Sequence, residues 1–198
     1  LFRSASNTTK WCSKHNVDFL CVLDQDTMMK KSDICVMKNY IENNYDDSTI
    51  IYAPRLKGAK QNDWCINSNS FINVKSFLRY GFEYDESYFI DRLDADLCMQ
   101  IKRKGFKIQI VDDLVLGHHI GEGGEHSPVR HYYIFRNRLY YNKKYFGLFI
   151  RVFLNVTQSL RHLLIIASEK NIMEKYILCI KGLIDYCCSK YGKYDNEG

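Results

Sequence analysis

A chain of 198 residues, 46% of them hydrophobic, can bury one full core and is too apolar for disorder, so one α/β domain with a helical appendage is expected. The formal charge of +5 comes from 28 basic residues interleaved with 23 acidic ones, which suits phosphates or an anionic membrane surface and falls short of a nucleic-acid footprint. Eight cysteines include no Cys-x-x-Cys pair and several sit in apolar contexts, the usage of free thiols in a reduced compartment.

The opening Leu1-Phe2-Arg3-Ser4 has neither an initiator Met nor the order of a signal peptide, so the chain is expected to begin inside a longer sequence. Residues 4–16 read as a short helix with Trp11 inward and Lys10, Lys14 and His15 outward. Residues 17–23 read as a buried strand that ends in Asp24-Gln-Asp26-Thr27. Side chains i and i+2 share one side of an extended chain, so Asp24 and Asp26 face one nucleotide, ion or ribose, unless the strand simply runs into a polar turn or a helix N-terminus. A helix over 32–44 follows, with Ser32 and Asp33 as caps, and then a strand over 49–53 closed by Pro54.

Residues 64–74 form a less regular strand with a polar Asn and Ser centre, leading into a helix at 74–80. A loop from Gly81 to Phe89 brings the chain to a second acidic cluster, Asp91, Asp94 and Asp96, at the head of a helix over 94–104 that Gly105 stops. Residues 107–111 and 114–116 read as one strand or two, ending at His118-His119. After the glycines at 121, 123 and 124, residues 131–145 make an aromatic and basic helix, and residues 148–168 and 172–186 two amphipathic ones. No uninterrupted apolar run approaches the roughly 18 to 20 residues that span a bilayer, so no crossing segment is expected.

The polar clusters stand in a recurring order: Leu23-Asp-Gln-Asp-Thr27, Asn67-Ser-Asn-Ser-Phe71, Phe89-Ile-Asp-Arg-Leu-Asp94-Ala-Asp96-Leu, Gly117-His118-His and Arg130 through Arg136-Asn137-Arg138. This series resembles the inverting family-two glycosyltransferases of the GT-A fold, most closely their rhamnosyltransferase-like branch. The resemblance implies an α/β fold with a three-layer mixed sheet, a core over residues 1–128 that is incomplete at its N-terminus, and a helical region over 129–198. It implies transfer of a hexose, rhamnose foremost, from a nucleotide-sugar donor (dTDP-rhamnose or a UDP-sugar) to a surface-polysaccharide or lipid-linked glycan acceptor. A Mg²⁺ or Mn²⁺ ion on Asp26 and His118 would stabilise the leaving diphosphate, with Asp24 nearer the ribose.

By the same resemblance Asp94 is the base that takes the acceptor proton, Arg130 and Arg136 meet the donor, and Ser68, Asn69, Asp91 and Asp96 line the acceptor side. Read without it, Asp94 is as well explained as a helix cap, His118 as a loop imidazole, and Arg138 as a solvated face. Asn69 stands where the family has glycine, the proline usual before the His118 strand is replaced by Val111-Asp112-Asp113, and the family's opening base-binding strand has no counterpart here. The alternative is therefore a non-catalytic fragment acting in glycan binding or scaffolding.

Localisation follows as cytoplasmic, with peripheral contact at the inner face of the plasma membrane. Phe149, Val152, Phe153, Val156, Leu160, Leu163 and Leu164 recur at helical spacing, so the C-terminal helices are expected to pack in part and to leave an apolar patch at a membrane surface.

Overall fold

The computed structural model describes residues 2–23, 29–116 and 126–194, with side chains from residue 7 onward. In chain order the elements are α1 (Phe2–Lys14), β1 (Phe19–Val22), α2 (Lys31–Asn43), β2 (Thr49–Leu56), β3 (Ser70–Asn73), α3 (Val74–Arg79), α4 (Leu93–Arg103), β4 (Lys107–Leu116), α5 (Pro128–Tyr145), α6 (Leu148–Ile166) and α7 (Ile172–Cys187). They divide between two compact units, one of residues 1–85 and 94–119 and the other of residues 86–93 and 120–198.

The first unit is α/β, and its strands form a four-stranded mixed sheet in the order β1-β3-β2-β4. β3 runs antiparallel to both neighbours and β2 runs parallel to β4, so β1, β2 and β4 all point the same way. Their carboxyl ends therefore share one edge, where ligands gather in open α/β sheets. β2 is buried at almost every successive position, with Ile50, Ile51, Tyr52 and Ala53 each no more than 1% exposed, as expected for a strand covered on both faces. On one face α2 lays Met37 and Ile41 against Tyr52, Val111 and Leu114.

Several local features differ from the sequence expectation for identifiable reasons. β2 does not stop at Pro54, because the proline falls where the β2/β4 register jumps from Pro54–Val111 to Arg55–Val115, and the missing N–H costs no ladder bond there. The same irregularity absorbs Asp112 and Asp113, so residues 107–116 form one strand rather than two. α2 begins one residue early, and Asp33 caps it from the third position by accepting the Lys30 backbone N–H at 2.9 Å. Trp11 faces solvent and stacks on His15 at 3.9 Å, while Thr9 and Cys12 occupy the inward face. α4 ends as expected, with Gly105 at φ +77° and the Phe106 N–H donating to Ile101.

The second unit is helical, and α5 is its core. Nine of its residues are buried, including His131, Arg136 and Asn137, so this basic stretch is not a solvated face. α7 crosses α5 at Gly182, where a Cβ would lie 2.9 Å from the Tyr132 carbonyl oxygen. α6 is a continuous helix of 19 residues, long and apolar enough by length and composition to cross a membrane, whereas the broken apolar runs of the sequence had argued against any such segment. Arg151 and Arg161 interrupt the runs but not the helix. All eight cysteines are free thiols.

Candidate active site

In the sheet unit the site is built on a turn. The backbone N–H of Ser70 donates to the Asn67 carbonyl at 3.0 Å, and that of Asn69 donates to the carbonyl of Val22 at 2.8 Å, which ties the turn to the end of β1 just before Asp24. Asn69 takes φ +58°, a left-handed conformation that Asn tolerates better than most residues and that glycine would adopt freely. Asn67, Ser68 and Asn69 are all buried, and among the described residues neither polar atom of the Asn69 side chain has a hydrogen-bond partner. Leaving a buried amide unsatisfied costs roughly 1–3 kcal/mol per group, which marks Asn69 as a candidate ligand contact.

Around this turn stand residues of the following loop and of α4. The Tyr84 hydroxyl donates to Asn67 Oδ1 at 3.2 Å. Burial raises the Tyr84 phenol well above its ordinary range, and its neighbours Cys65, Asp94 and Cys98 push it the same way. Cys65 and Cys98 lie with their sulfurs 4.0 Å apart, and the hydrogen bond to Cys98, followed by burial and the field of Asp94, holds the Cys65 thiol protonated. Asp94 itself is half-buried on the first turn of α4, with its carboxylate in the favourable field of the helix N-terminus. Asp96, expected on the acceptor side, is 1% exposed and accepts from Gln100 Nε2 at 2.7 Å; Gln100 also donates to the Glu83 carbonyl at 2.9 Å, so Asp96 anchors the helix to the loop.

The helical unit holds the other expected residues. Phe89, Asp91 and Arg92 all have φ between +56° and +71°, three left-handed non-glycine residues in four positions. Such strain persists where the surroundings over-determine it. Asn137, fully buried on α5, does so by donating from Nδ2 to the carbonyls of Tyr88 at 2.7 Å and Ile90 at 2.5 Å. Asp91 Oδ1 accepts from the exposed Arg130 at 3.2 Å, while Oδ2 is buried and has no hydrogen-bond partner among the described residues. Arg136, expected at the donor, is fully buried and commits its guanidinium to protein acceptors: Asn137 Oδ1 and the Tyr132 hydroxyl at 3.0 Å, and the Gly192 carbonyl at 2.9 Å. Arg138 donates to the Gln158 carbonyl at 2.7 Å, and burial lowers it to about 10.

Asp24, Asp26 and His118 lie outside the described residues. β1 and β4, the strands that precede them in sequence, end at the same sheet edge, three strand spacings or about 14 Å apart. Among the described residues no group of three His, Cys, Asp or Glu side chains is placed to hold a metal ion. A cavity of about 620 Å³ opens between α2 and the β1/β3 face, lined by Phe19, Ile34, Ile41 and Phe71 with Lys38 and Lys75, and includes none of the expected site residues. Tyr84 and Asn137 were not given roles from the sequence. Asn137 stands in the Arg136-Asn137-Arg138 stretch of the recurring series, but its role does not show there because its partners lie nearly 50 residues away, whereas Tyr84 reads only as one more aromatic in a loop.

In sequence the chain is similar to a dTDP-rhamnosyl transferase, RfbF, of Shigella flexneri: 32% identity over 126 residues, covering 57% of this chain and 42% of that protein. The matched stretch thus spans less than half the length of that relative. No family model matches the chain, and no solved structure matches it significantly.

Proposed function

We propose that this chain belongs to an inverting, rhamnosyltransferase-like glycosyltransferase of GT-A type, with dTDP-rhamnose as its first-choice donor and a UDP-sugar as the comparison. The observation that carries the reading is the 32% identity to a dTDP-rhamnosyl transferase. The open α/β sheet with polar residues at its carboxyl edge supports the same reading. The acceptor is a surface glycan or a lipid-linked one.

In this mechanism an acceptor hydroxyl attacks the anomeric carbon from the face opposite the diphosphate, its proton passes to Asp94, and the bond from the sugar to the diphosphate breaks. One glycoside and one nucleoside diphosphate result. Asp94 suits the base because it is a half-buried carboxylate beside Tyr84 rather than a fully solvated one. The buried Asn69 amide offers one acceptor and two donors to a sugar hydroxyl, and Ser68 lies beside it. Arg130, exposed and held by Asp91, is the side chain we assign to the donor diphosphate in preference to the enclosed Arg136. A Mg²⁺ or Mn²⁺ held by Asp26 and His118, with Asp24 toward the ribose, would add Lewis-acid stabilisation of the leaving group.

The test is turnover of the protein expressed from its complete reading frame. With dTDP-rhamnose and a glycan acceptor it should release dTDP, with UDP-sugars it should release UDP more slowly, and a chelator should stop the release until Mg²⁺ or Mn²⁺ is restored. Donor that stays intact with every acceptor and metal, in a protein that still binds dTDP, refutes transfer.

A further inference from the structure

The last two helices bury Ile166, Leu178 and Cys179 but expose far more apolar side chains than a protein surrounded by water ordinarily does. α6 directs Asn155, Gln158 and His162 inward: Asn142 donates to Asn155 Oδ1 at 2.9 Å and to Gln158 Oε1 at 3.2 Å, and the His162 and His131 rings meet at 3.3 Å. α7 does the same with Lys175, which is 1% exposed and paired to Glu169 at 2.8 Å, and with Asp185, which accepts from the Tyr132 hydroxyl at 2.7 Å. The outward faces are mainly apolar, with Thr157, Arg161 and Glu174 among them. Phe149, Phe153 and Leu164 of α6 are 89%, 66% and 74% exposed, and Met173, Ile177 and Ile180 of α7 are 72%, 57% and 58% exposed. A helix in water places its apolar stripe toward the core. Here these polar groups are satisfied internally and most of the aliphatic ones face out, the arrangement that hydrocarbon surroundings reward.

Charge identifies the occupant. Residues 128–198 carry twelve Lys and Arg against five Asp and Glu, an excess of seven that is larger than the +5 of the whole chain. Exposed Lys143 and Lys144 immediately precede α6 in the sequence and exposed Lys170 follows it. An apolar face bracketed by cations is complementary to an anionic bilayer. A second copy docked by two-fold symmetry would instead bring this basic segment against itself. α6 has the length of a membrane span, but α5, packed against it, carries the exposed Arg130, Lys143 and Lys144, so α6 enters lengthwise rather than across.

We infer that the outward faces of α6 and α7 dock in the plane of an anionic lipid bilayer, with Phe149, Phe153, Leu160 and Leu164 in the acyl boundary and the flanking lysines at the headgroups. This rests on the helices alone and stands or falls apart from the transfer chemistry.

Flotation of the full chain with vesicles of phosphatidylcholine, with and without one third phosphatidylglycerol, tests it. Binding at least about tenfold tighter to the anionic vesicles is expected, weakening as salt rises. The combined change Phe149→Asp, Phe153→Asp and Leu160→Asp should lower binding at least about tenfold. These three side chains are 89%, 66% and 58% exposed, so the circular dichroism and melting temperature should stay as in the native chain. Three results would overturn the inference: no flotation at low salt, a triple variant that floats like the native chain, or a dimer that the triple change dissociates while neither form binds vesicles.

Discussion

The two units of this chain use polar residues in opposite ways. In the sheet unit Ile50, Ile51, Ile72 and Val111 fill the interior, and the polar groups of interest, Asn69 and Asp94, gather beyond the strand ends. In the helical unit Arg136, Asn137, Lys175, His131 and His162 share the interior with Phe135, Leu139 and Ile166, while many isoleucines and phenylalanines of α6 and α7 look outward. The contrast teaches that burial of a charged or polar side chain is no single sign of function. Asn69 is buried and unpartnered among the described residues, as a ligand contact is, whereas Arg136 and Asn137 are buried and hydrogen-bonded to the chain they hold in place. Substitution of Asn69 or Asp94 should therefore affect chemistry, and substitution of Arg136 or Asn137 should affect folding.

The largest expected effect is on rate. Asp94→Asn is nearly isosteric and removes only the basic lone pair, so transfer should fall roughly 10²–10⁴-fold with dTDP affinity and melting temperature nearly unchanged. Near-native turnover would move the base assignment to Asp91, whose Oδ2 is buried without a hydrogen-bond partner among the described residues.

Lys175→Ala should show the opposite pattern. It leaves the Glu169 carboxylate, 15% exposed, without the ammonium 2.8 Å away, a loss of about 3–5 kcal/mol in unfolding free energy with no direct effect on chemistry. Pairing Lys175→Met with Glu169→Gln should recover most of it, and failure of that rescue in denaturant titrations would mean that the lysine does more than neutralise Glu169.

Gly182→Ala tests the close approach of α7 to α5. Its Cβ would meet the Tyr132 carbonyl oxygen at 2.9 Å, so the helices must part, at a cost of about 1–3 kcal/mol that overrides alanine's better helix propensity. An unchanged or raised melting temperature would show that the crossing has slack.

The smallest effect is pH-dependent. Burial, followed by the charges of Arg138 and His131, lowers His162 from 6.5 to about 4, against the opposing pull of Glu169; His131 is lowered too, mainly by burial. Between those values the unfolded chain binds the proton and the folded one does not, so stability is complete above about pH 6.5 and declines as pH falls toward 4. His162→Gln should flatten that decline in thermal melts taken across the interval. A slope identical to that of the native protein would assign the decline to other groups.

The sequence by itself placed most helices and strands to within a few residues, though β3 covers only Ser70–Asn73 of the expected 64–74, because period and punctuation are local: Gly105 stops α4 and the stripe from Phe149 to Leu164 makes α6 a helix. It also placed Asp94 at a helix head and singled out the turn at Ser68 and Asn69, since acidic and Asn-rich clusters stand out in a linear reading. Tertiary structure alone decided the rest. Pro54 reads as a stop until the sheet supplies a register jump that accommodates it, and Arg136 and Arg130 look alike until one is enclosed by Tyr132 and Gly192 and the other left at the surface with Asp91. The direction of the α6 stripe, outward rather than toward a core, was likewise open, because helical periodicity fixes which residues share a face but not what that face meets.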